Sequence, residues 1–260
     1  MKLMINAKMM KVAAAAALAA GRELYKRYEK FNRAEVKFKS SREIVTKADL
    51  ASERIIKQMI KDNFPSHQIL SEESGLSGQQ SPYFWIVDPL DGTTNFSMHN
   101  PLWSISIALC YQGEVQLGIV FAPVLGEIFV AAKGAGAFLN GQPMKVSDKR
   151  AKAAINTFCH SSNLKDLKQA LRYYEKQKLD NFDCRQLGSA AIELAYVASG
   201  RIESIGIPGA NAWDVAAGVL LVSEAKGRVT DLLGQRWGLK SKGILASNGL
   251  DHAKLVRSWR

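Results

Sequence analysis

The sequence predicts an α/β fold in which layered sheets are covered by helices. Three observations lead to this prediction. Strand-type alternation with turn signals runs through residues 103–146, strand-type and helix-type segments alternate from residue 155 onwards, and amphipathic helical patterns precede both regions. A chain of 260 residues is long enough for one large domain or two tightly joined ones.

The composition is that of a soluble globular protein, with 47% hydrophobic and 23% charged residues. The net charge of +11 raises the question of a nucleic acid or an anionic membrane as partner. The Lys and Arg residues are scattered along the sequence, and no nucleic-acid motif is recognised. We therefore expect a solvated basic surface that attracts an anionic substrate, and favour neither a nucleic acid nor a membrane as partner.

The cysteines Cys110, Cys159 and Cys184 are odd in number and far apart. They predict neither a disulfide framework nor a zinc site, and they fit a reducing cytoplasm. The alanine-rich segment Met1–Ala20 could be mistaken for a secretion signal. Because its helical pattern continues through Leu24, one long amphipathic helix is the preferred interpretation, and a membrane-surface anchor is the weaker alternative.

A second helix is predicted to begin at Thr46 and Asp49, which resemble a capping box, and to end at Pro65. A short strand then leads into the acidic pair Glu72 and Glu73. Adjacent residues on a strand point in opposite directions, so only one of the two acids can face a site at the strand's end.

The central stretch of the chain is Trp85–Phe96, where a buried strand meets Asp88-Pro89-Leu90-Asp91-Gly92-Thr93. Pro89 breaks the sheet pairing and Gly92 permits a tight turn, so that the carboxylates of Asp88 and Asp91 can converge. A helix starting at Gly92 and Thr93 would offer backbone N–H groups to an anion. These residues predict cations on one side and a phosphate on the other, while helix capping by Asp91 or Thr93 is the alternative.

The second half begins near Ser147–Arg150, which divides the chain into residues 1–147 and 148–260. Four helices are predicted in this half. They cover residues 164–179, a segment that opens at 185–191 and ends at Ala198, a segment from Trp213-Asp214 to near Gly227, and residues 250–259. From the local pattern alone, an N-cap of its helix is a sufficient explanation of Asp214. Cys159-His160 is not favoured as a nucleophile and base, because neighbouring strand residues face opposite ways.

Two motifs resemble the signatures of the inositol monophosphatase family, the magnesium-dependent, lithium-sensitive phosphomonoesterases. The first is Trp85–Phe96, and the second is Trp213-Asp214-Val215-Ala216-Ala217-Gly218 followed by Glu224. The resemblance extends from about Leu24 to the last helix. It implies a layered αβαβα sandwich of the inositol monophosphatase and fructose-1,6-bisphosphatase type. The site would lie between two sub-domains, and the first sub-domain would supply most metal ligands. Members of this family are usually homodimers, so the resemblance also implies a homodimer.

The resemblance also implies roles for individual residues. Two or three Mg²⁺ ions would be held by carboxylates and one carbonyl. Asp49 would hold the hydroxyl of Thr93, which with Glu72 helps to activate the attacking water, and Lys39 would be the basic residue of the preceding segment. The implied metal ligands are Glu72, Asp88, the carbonyl of Leu90, Asp91 and Asp214. The implied substrate contacts are Asp91, Gly92, Thr93, Gly188, Ser189, Ala190 and Asp214.

The alcohol part of the substrate is less defined by the sequence. Animal inositol phosphatases carry a glutamate where this chain has Ile207, so one polar contact to the inositol ring is missing. Inositol monophosphate is the default expectation, with a 3'(2'),5'-bisphosphate nucleotide, fructose 1,6-bisphosphate and histidinol phosphate as alternatives. An RNA- or protein-binding regulatory protein with secondary catalysis is the alternative from another class. Asp91→Asn is expected to abolish turnover without unfolding the chain.

Overall fold

The structure is a computed structural model that describes residues 7–30, 37–38, 44–45, 47–150 and 153–259. Lys39 and Thr46, singled out in the sequence, lie outside the described residues. The helices are α1 (Ala7–Glu29), α2 (Lys47–Asn63), α3 (Thr93–Ser97), α4 (Leu164–Leu179), α5 (Ala190–Ala198), α6 (Ala212–Glu224) and α7 (His252–Ser258).

The strands form a small pair and two larger sheets. The strands are β1 (Lys37–Phe38), β2 (Ile44–Val45), β3 (Gln68–Ser71), β4 (Gly75–Ser77), β5 (Tyr83–Asp91), β6 (Ser104–Tyr111), β7 (Glu114–Ala122), β8 (Glu127–Ala132), β9 (Gly136–Leu139), β10 (Gln142–Pro143), β11 (Ile155–Phe158), β12 (Asp183–Arg185), β13 (Ser204–Pro208), β14 (Arg228–Thr230) and β15 (Gly243–Ser247). The first large sheet has the order β10-β9-β8-β7-β6-β5-β3-β4, and the second has β12-β11-β13-β15-β14. The first is antiparallel except between β3 and β5.

The two sheets and the helices stack in five layers. Trp85 and Val87 of β5 pack with α1 and α2, whereas Ile86 between them packs with α5 and α6 on the opposite face. This alternation follows from the two-residue period of a strand. Helices α5 and α6 also cover the second sheet, whose other face packs against α4 and α7. The predicted αβαβα sandwich is therefore confirmed.

Strand β6 lies inside the first sheet and is buried on both faces. Seven of its eight residues are buried, because helices cover the first sheet on both sides. Small residues allow the close approach of α6 to this sheet: a Cβ on Gly118 of β7 would lie 2.6 Å from the carbonyl oxygen of Ala217. The large residues of β6 therefore pack toward α1 and α2, and its small residues lie on the face that α5 and α6 cover.

Helix α1 packs its alanine-rich side onto the first sheet. Ala13, Ala16, Ala17 and Ala20 are fully buried. Gly21 lies against Phe121, because an added Cβ would approach that ring to 2.3 Å. Residues 7–29 therefore belong to the folded core, and no helix in the described ranges is long and apolar enough to cross a bilayer.

Candidate active site

The site is built around an irregularity at the end of β5. The strand continues to Asp91 instead of ending at Val87, but its pairing with β6 slips between Asp88 and Asp91. Pro89 lies at the slip and has no N–H to donate to a neighbouring strand. The side chain of Asp88 accepts a hydrogen bond of 3.0 Å from the backbone N–H of Leu90, which holds the turn between the two acids.

Gly92 continues this turn in a left-handed conformation with φ of 88° and is the N-cap of α3. The alternative that Asp91 or Thr93 caps this helix is therefore wrong. An added Cβ on Gly92 would lie 3.0 Å from the carbonyl oxygen of Leu102 and 3.3 Å from that of Gly188. Only glycine satisfies both the backbone angle and the space at this position.

Thr93 and Asp49 are brought together across the chain. The Thr93 hydroxyl lies 3.4 Å from Oδ1 of Asp49 and 3.1 Å from the carbonyl oxygen of Leu90. Asp49 lies in the first turn of α2 and is buried. The hydroxyl has one proton for two acceptors, so its donor can turn toward either oxygen.

Asp91 is held by the N-terminus of α5. Its carboxylate accepts hydrogen bonds from the hydroxyl of Ser189 and from the backbone N–H groups of Ala190 and Ala191. Ser189 is also the N-cap of α5. Burial raises the pKa of Asp91, and these hydrogen bonds oppose the rise because they stabilise its ionised form.

Asp214 lies at the third position of α6, where it forms a capping box with Asn211. Its Oδ2 accepts a hydrogen bond of 2.8 Å from the backbone N–H of Asn211. The N-cap is thus Asn211, and the interpretation of Asp214 as the N-cap is wrong. The hydroxyl of Ser106 on β6 donates to the carbonyl oxygen of Trp213 at 3.3 Å and fixes this helix start against the first sheet.

These segments surround a cavity of ≈ 380 Å³ between the two sheets. Asp88, Leu90 and Ser189 are buried beneath it. The predicted site residues that line it are Glu72, Asp91, Gly92, Thr93, Gly188, Ala190 and Asp214. The structure thus brings the sequence-predicted residues to one place, although their roles stay predictions.

Four acids interact electrostatically at this cavity. Burial raises the pKa of Asp88 well above its usual range, and the nearby Glu72, Asp91 and Asp214 raise it further. Within the described part of the chain, no three Asp, Glu, His or Cys side chains already stand close enough to hold one metal ion. The donor set still fits a hard cation, because it consists of oxygen atoms whose mutual repulsion a cation would relieve.

Residues outside the predicted acid set also line the cavity. His160, Ser161, Gln186 and Asn211 line it together with Ile207. The thiol of Cys159 donates to Oε1 of Glu193 at 3.0 Å, and burial raises its pKa, so it is held as a neutral thiol.

Glu193 was missed by the sequence analysis. It is fully buried, its Oε1 also accepts from the backbone N–H of Gly188 at 3.1 Å, and burial raises its pKa to about 7. Its one sequence signal is that it is the only acid in the otherwise apolar helix α5.

The five-layer sandwich and the acid-lined cavity define an α/β protein with a candidate site for a cation and an anionic ligand. Comparison with known proteins agrees. The chain belongs to the inositol monophosphatase family, whose sequence model matches residues 5–260.

Several relatives are similar over nearly the whole chain. The Nus factor SuhB of Pasteurella multocida (strain Pm70) is 38% identical over 92% of this chain and 91% of its own length. The inositol-1-monophosphatase of Mesorhizobium japonicum is 33% identical over 98% of this chain and 97% of its own. The crystal structure of the extragenic suppressor protein suhB from Bartonella henselae is 35% identical, with a TM-score of 0.91, and covers 97% of this chain and 98% of its own.

Proposed function

We propose that this protein is a Mg²⁺-dependent phosphomonoesterase that hydrolyses a small phosphate monoester, with inositol monophosphate as the first candidate. The observation that carries the proposal is the convergence of Glu72, Asp91 and Asp214 on one cavity above the buried Asp88. The family assignment and the relative named inositol-1-monophosphatase support the same reaction.

Glu72, Asp88, Asp91, Asp214 and the carbonyl of Leu90 are the groups that would hold the cations. Bound Mg²⁺ would supply activation of water, neutralisation of the phosphoryl oxygens and stabilisation of the leaving alkoxide. Asp88 interacts electrostatically with each of the other three acids, because all three raise its pKa. Asp88 would therefore hold a cation jointly with these acids.

Thr93 and Asp49 would handle the proton of the attacking water. When the Thr93 hydroxyl donates to Asp49, its oxygen is free to accept a proton from a water in the cavity. The proton of the hydroxyl then moves to Asp49. Gly92 and Thr93 offer their backbone N–H groups to the phosphate at the same point of the turn.

A panel of phosphate esters titrated with Mg²⁺ tests this proposal. Inositol monophosphate, fructose 1,6-bisphosphate, a 3'(2'),5'-bisphosphate nucleotide and histidinol phosphate are compared by release of inorganic phosphate, with lithium added in a parallel series. Release should require Mg²⁺ and should be lost in Asp214→Asn but kept in Asp62→Asn, which removes an exposed acid of α2. No release from any ester at millimolar Mg²⁺ would contradict the proposal. Light scattering on the same sample tests the expected homodimer.

A second candidate function is RNA binding in a regulatory role, and two observations favour it. Relatives that are 38% identical carry the name Nus factor SuhB. The exposed side of α4 also collects basic residues that look scattered in the sequence, because a spacing of three or four places them on one helix face. They are Lys165, Lys168, Arg172 and Lys176.

Salt dependence distinguishes this candidate. RNA held by the α4 face should bind more weakly as the salt concentration rises. Replacing its four basic residues with Gln should reduce the slope of the logarithm of the affinity against the logarithm of the salt concentration. The matched control replaces four exposed lysines elsewhere, Lys26, Lys145, Lys226 and Lys240. Equal losses in both variants would show only an effect of net charge.

A further inference from the structure

Helix α2 presents three buried polar side chains to the site from one face. Asp49, Ser52 and Glu53 are separated by three and four positions and therefore lie side by side on the helix. Their exposed fractions are 2%, 0% and 7%. Buried polar groups require hydrogen-bond partners, and the partners of these three lie in three different segments.

Ser52 binds the irregular turn between the two central acids. Its hydroxyl donates a hydrogen bond of 2.7 Å to the carbonyl oxygen of Pro89. The slip in pairing between Asp88 and Asp91 leaves Pro89 without a register partner on β6. The serine hydroxyl therefore fixes a carbonyl group that strand pairing does not hold.

Glu53 binds the turn that carries Glu72. Its Oε1 accepts hydrogen bonds from the backbone N–H of Ser74 at 3.1 Å and from the Ser74 hydroxyl at 2.9 Å. Lys57 donates to the same hydroxyl at 2.5 Å. On the other side of the turn, the N–H of Glu72 donates to the carbonyl oxygen of Val87 on β5 at 3.1 Å. The turn is thus attached to β5 at one end and to α2 at the other.

We propose that Ser52 and Glu53 are positioning residues that set the distance of Glu72 from Asp88 and Asp91, and thereby the affinity of the site for a divalent cation. Neither residue is among those that line the cavity, so both act through the segments they bind. This inference rests on the proposed function, since it requires that the acids hold Mg²⁺. Residues that orient metal ligands typically change metal affinity about 10–100-fold when they are replaced.

Calorimetric titration of the full-length chain with Mg²⁺, without substrate, tests this inference. Ser52→Ala and Glu53→Ala should each raise the Kd for Mg²⁺ about tenfold or more. Ser74→Ala changes the exposed partner of Glu53, so it can be tested even if a buried substitution prevents folding. It should raise the Kd for Mg²⁺ several-fold. Asp62→Asn is the matched control, because it removes a charge from the exposed side of the same helix and should leave the Kd unchanged.

Two further measurements separate positioning from a general effect on folding. Excess Mg²⁺ should restore phosphate release with little change in KM for the ester. The effect of Ser74→Ala on the Kd should largely disappear in the Glu53→Ala background, because both changes remove the hydrogen bond between the Ser74 hydroxyl and Glu53.

Unchanged Mg²⁺ affinity in folded Ser74→Ala and Glu53→Ala overturns the positioning role and leaves the proposed function intact. A lower thermal stability with an unchanged Kd has the same meaning, since it shows a structural role only. If the wild type neither binds Mg²⁺ nor releases phosphate from any ester, the proposed function fails and this inference fails with it.

Discussion

The backbone N–H of Ala191 donates a hydrogen bond of 2.9 Å to the carboxylate of Asp91, which lies one hundred positions earlier in the chain. The N–H of Ala190 donates to the other carboxylate oxygen at 3.1 Å, and the hydroxyl of Ser189 completes the set. An acid at the end of the first sheet is thus held by the first turn of a helix from the second half. Substitution of Asp91 should therefore affect both catalysis and folding.

Asp91→Asn should lower phosphate release by more than about 100-fold, beyond the range of residues that only orient metal ligands. It should also lower the free energy of unfolding of the metal-free protein by about 1–3 kcal/mol, because an amide N–H₂ then faces buried donors. This adds a stability loss to the effect expected from the sequence. Kinetics and urea unfolding measure the two effects, and the exposed Asp148→Asn serves as control. Retained turnover would refute the role of Asp91.

Asp88→Asn should have the opposite effect on stability while also abolishing activity. Burial and three neighbouring acids raise the pKa of Asp88, so the folded state holds its proton more tightly than the unfolded state. The metal-free wild type therefore loses stability as the pH rises above about 4. At neutral pH the variant should be more stable than the metal-free wild type, because its amide side chain carries no charge. Urea unfolding in a chelator measures this, and a less stable variant would contradict it.

Glu193→Gln should remove a different pH dependence. Burial raises the pKa of Glu193 to about 7, whereas an unfolded glutamate titrates near 4. The neutral form of Glu193 contributes about 3 kcal/mol to the free energy of unfolding. This contribution is fully present below about pH 4 and decreases as the pH rises toward about 7, above which it stays lost. The glutamine amide would keep an acceptor for Cys159 and Gly188 without this slope. Urea unfolding across this pH range should show the pH dependence in the wild type and in the exposed control Glu175→Gln, and its loss in Glu193→Gln. The same pH dependence of the unfolding free energy in wild type and Glu193→Gln would contradict the prediction.

Gly92→Ala should separate backbone strain from phosphate binding. Alanine at this position must adopt a left-handed φ of 88°, and its Cβ would lie 3.0 Å from the carbonyl oxygen of Leu102. We therefore expect the free energy of unfolding to fall by about 1–3 kcal/mol. The inhibition constant of inorganic phosphate should rise about tenfold, because the turn that presents its N–H groups is displaced. Gly113→Ala is the matched control: its φ is +81° and nothing lies within 4 Å of an added Cβ, so only stability should fall. An unchanged phosphate constant in Gly92→Ala would remove Gly92 from the binding site.

Local patterns in the sequence predict much of this architecture. Helix α4 has the predicted bounds of 164–179, because its apolar spacing and flanking polar residues are unambiguous. The turn at Asn140 and Gly141, both with positive φ, matches its Asn-Gly signal. Residues that approach from distant segments, such as Glu72 and Asp214, were assigned through the family signatures rather than through local pattern.

The contacts that support the site could not be predicted in the same way. Ser52 and Glu53 look like ordinary polar positions of an amphipathic helix, and their partners are determined only by packing against β5 and the following turns. For Asp214 the local pattern offers only the alternative of an N-cap, because an acid at a helix start has that explanation, whereas the capping box depends on Asn211 three residues earlier. The pKa of Glu193 depends on burial, which a single acid in an apolar helix indicates only weakly.

The middle helical layer has a consequence for any attempt to express the halves separately. Helices α5 and α6 follow residue 148, yet they bury Ile86, Val120 and Phe129 of the first sheet. A fragment ending at residue 147 would leave a broad apolar sheet face open to solvent, and such a surface promotes self-association. Truncation at that point should give insoluble material, and only co-expression of the complementary fragment would recover it.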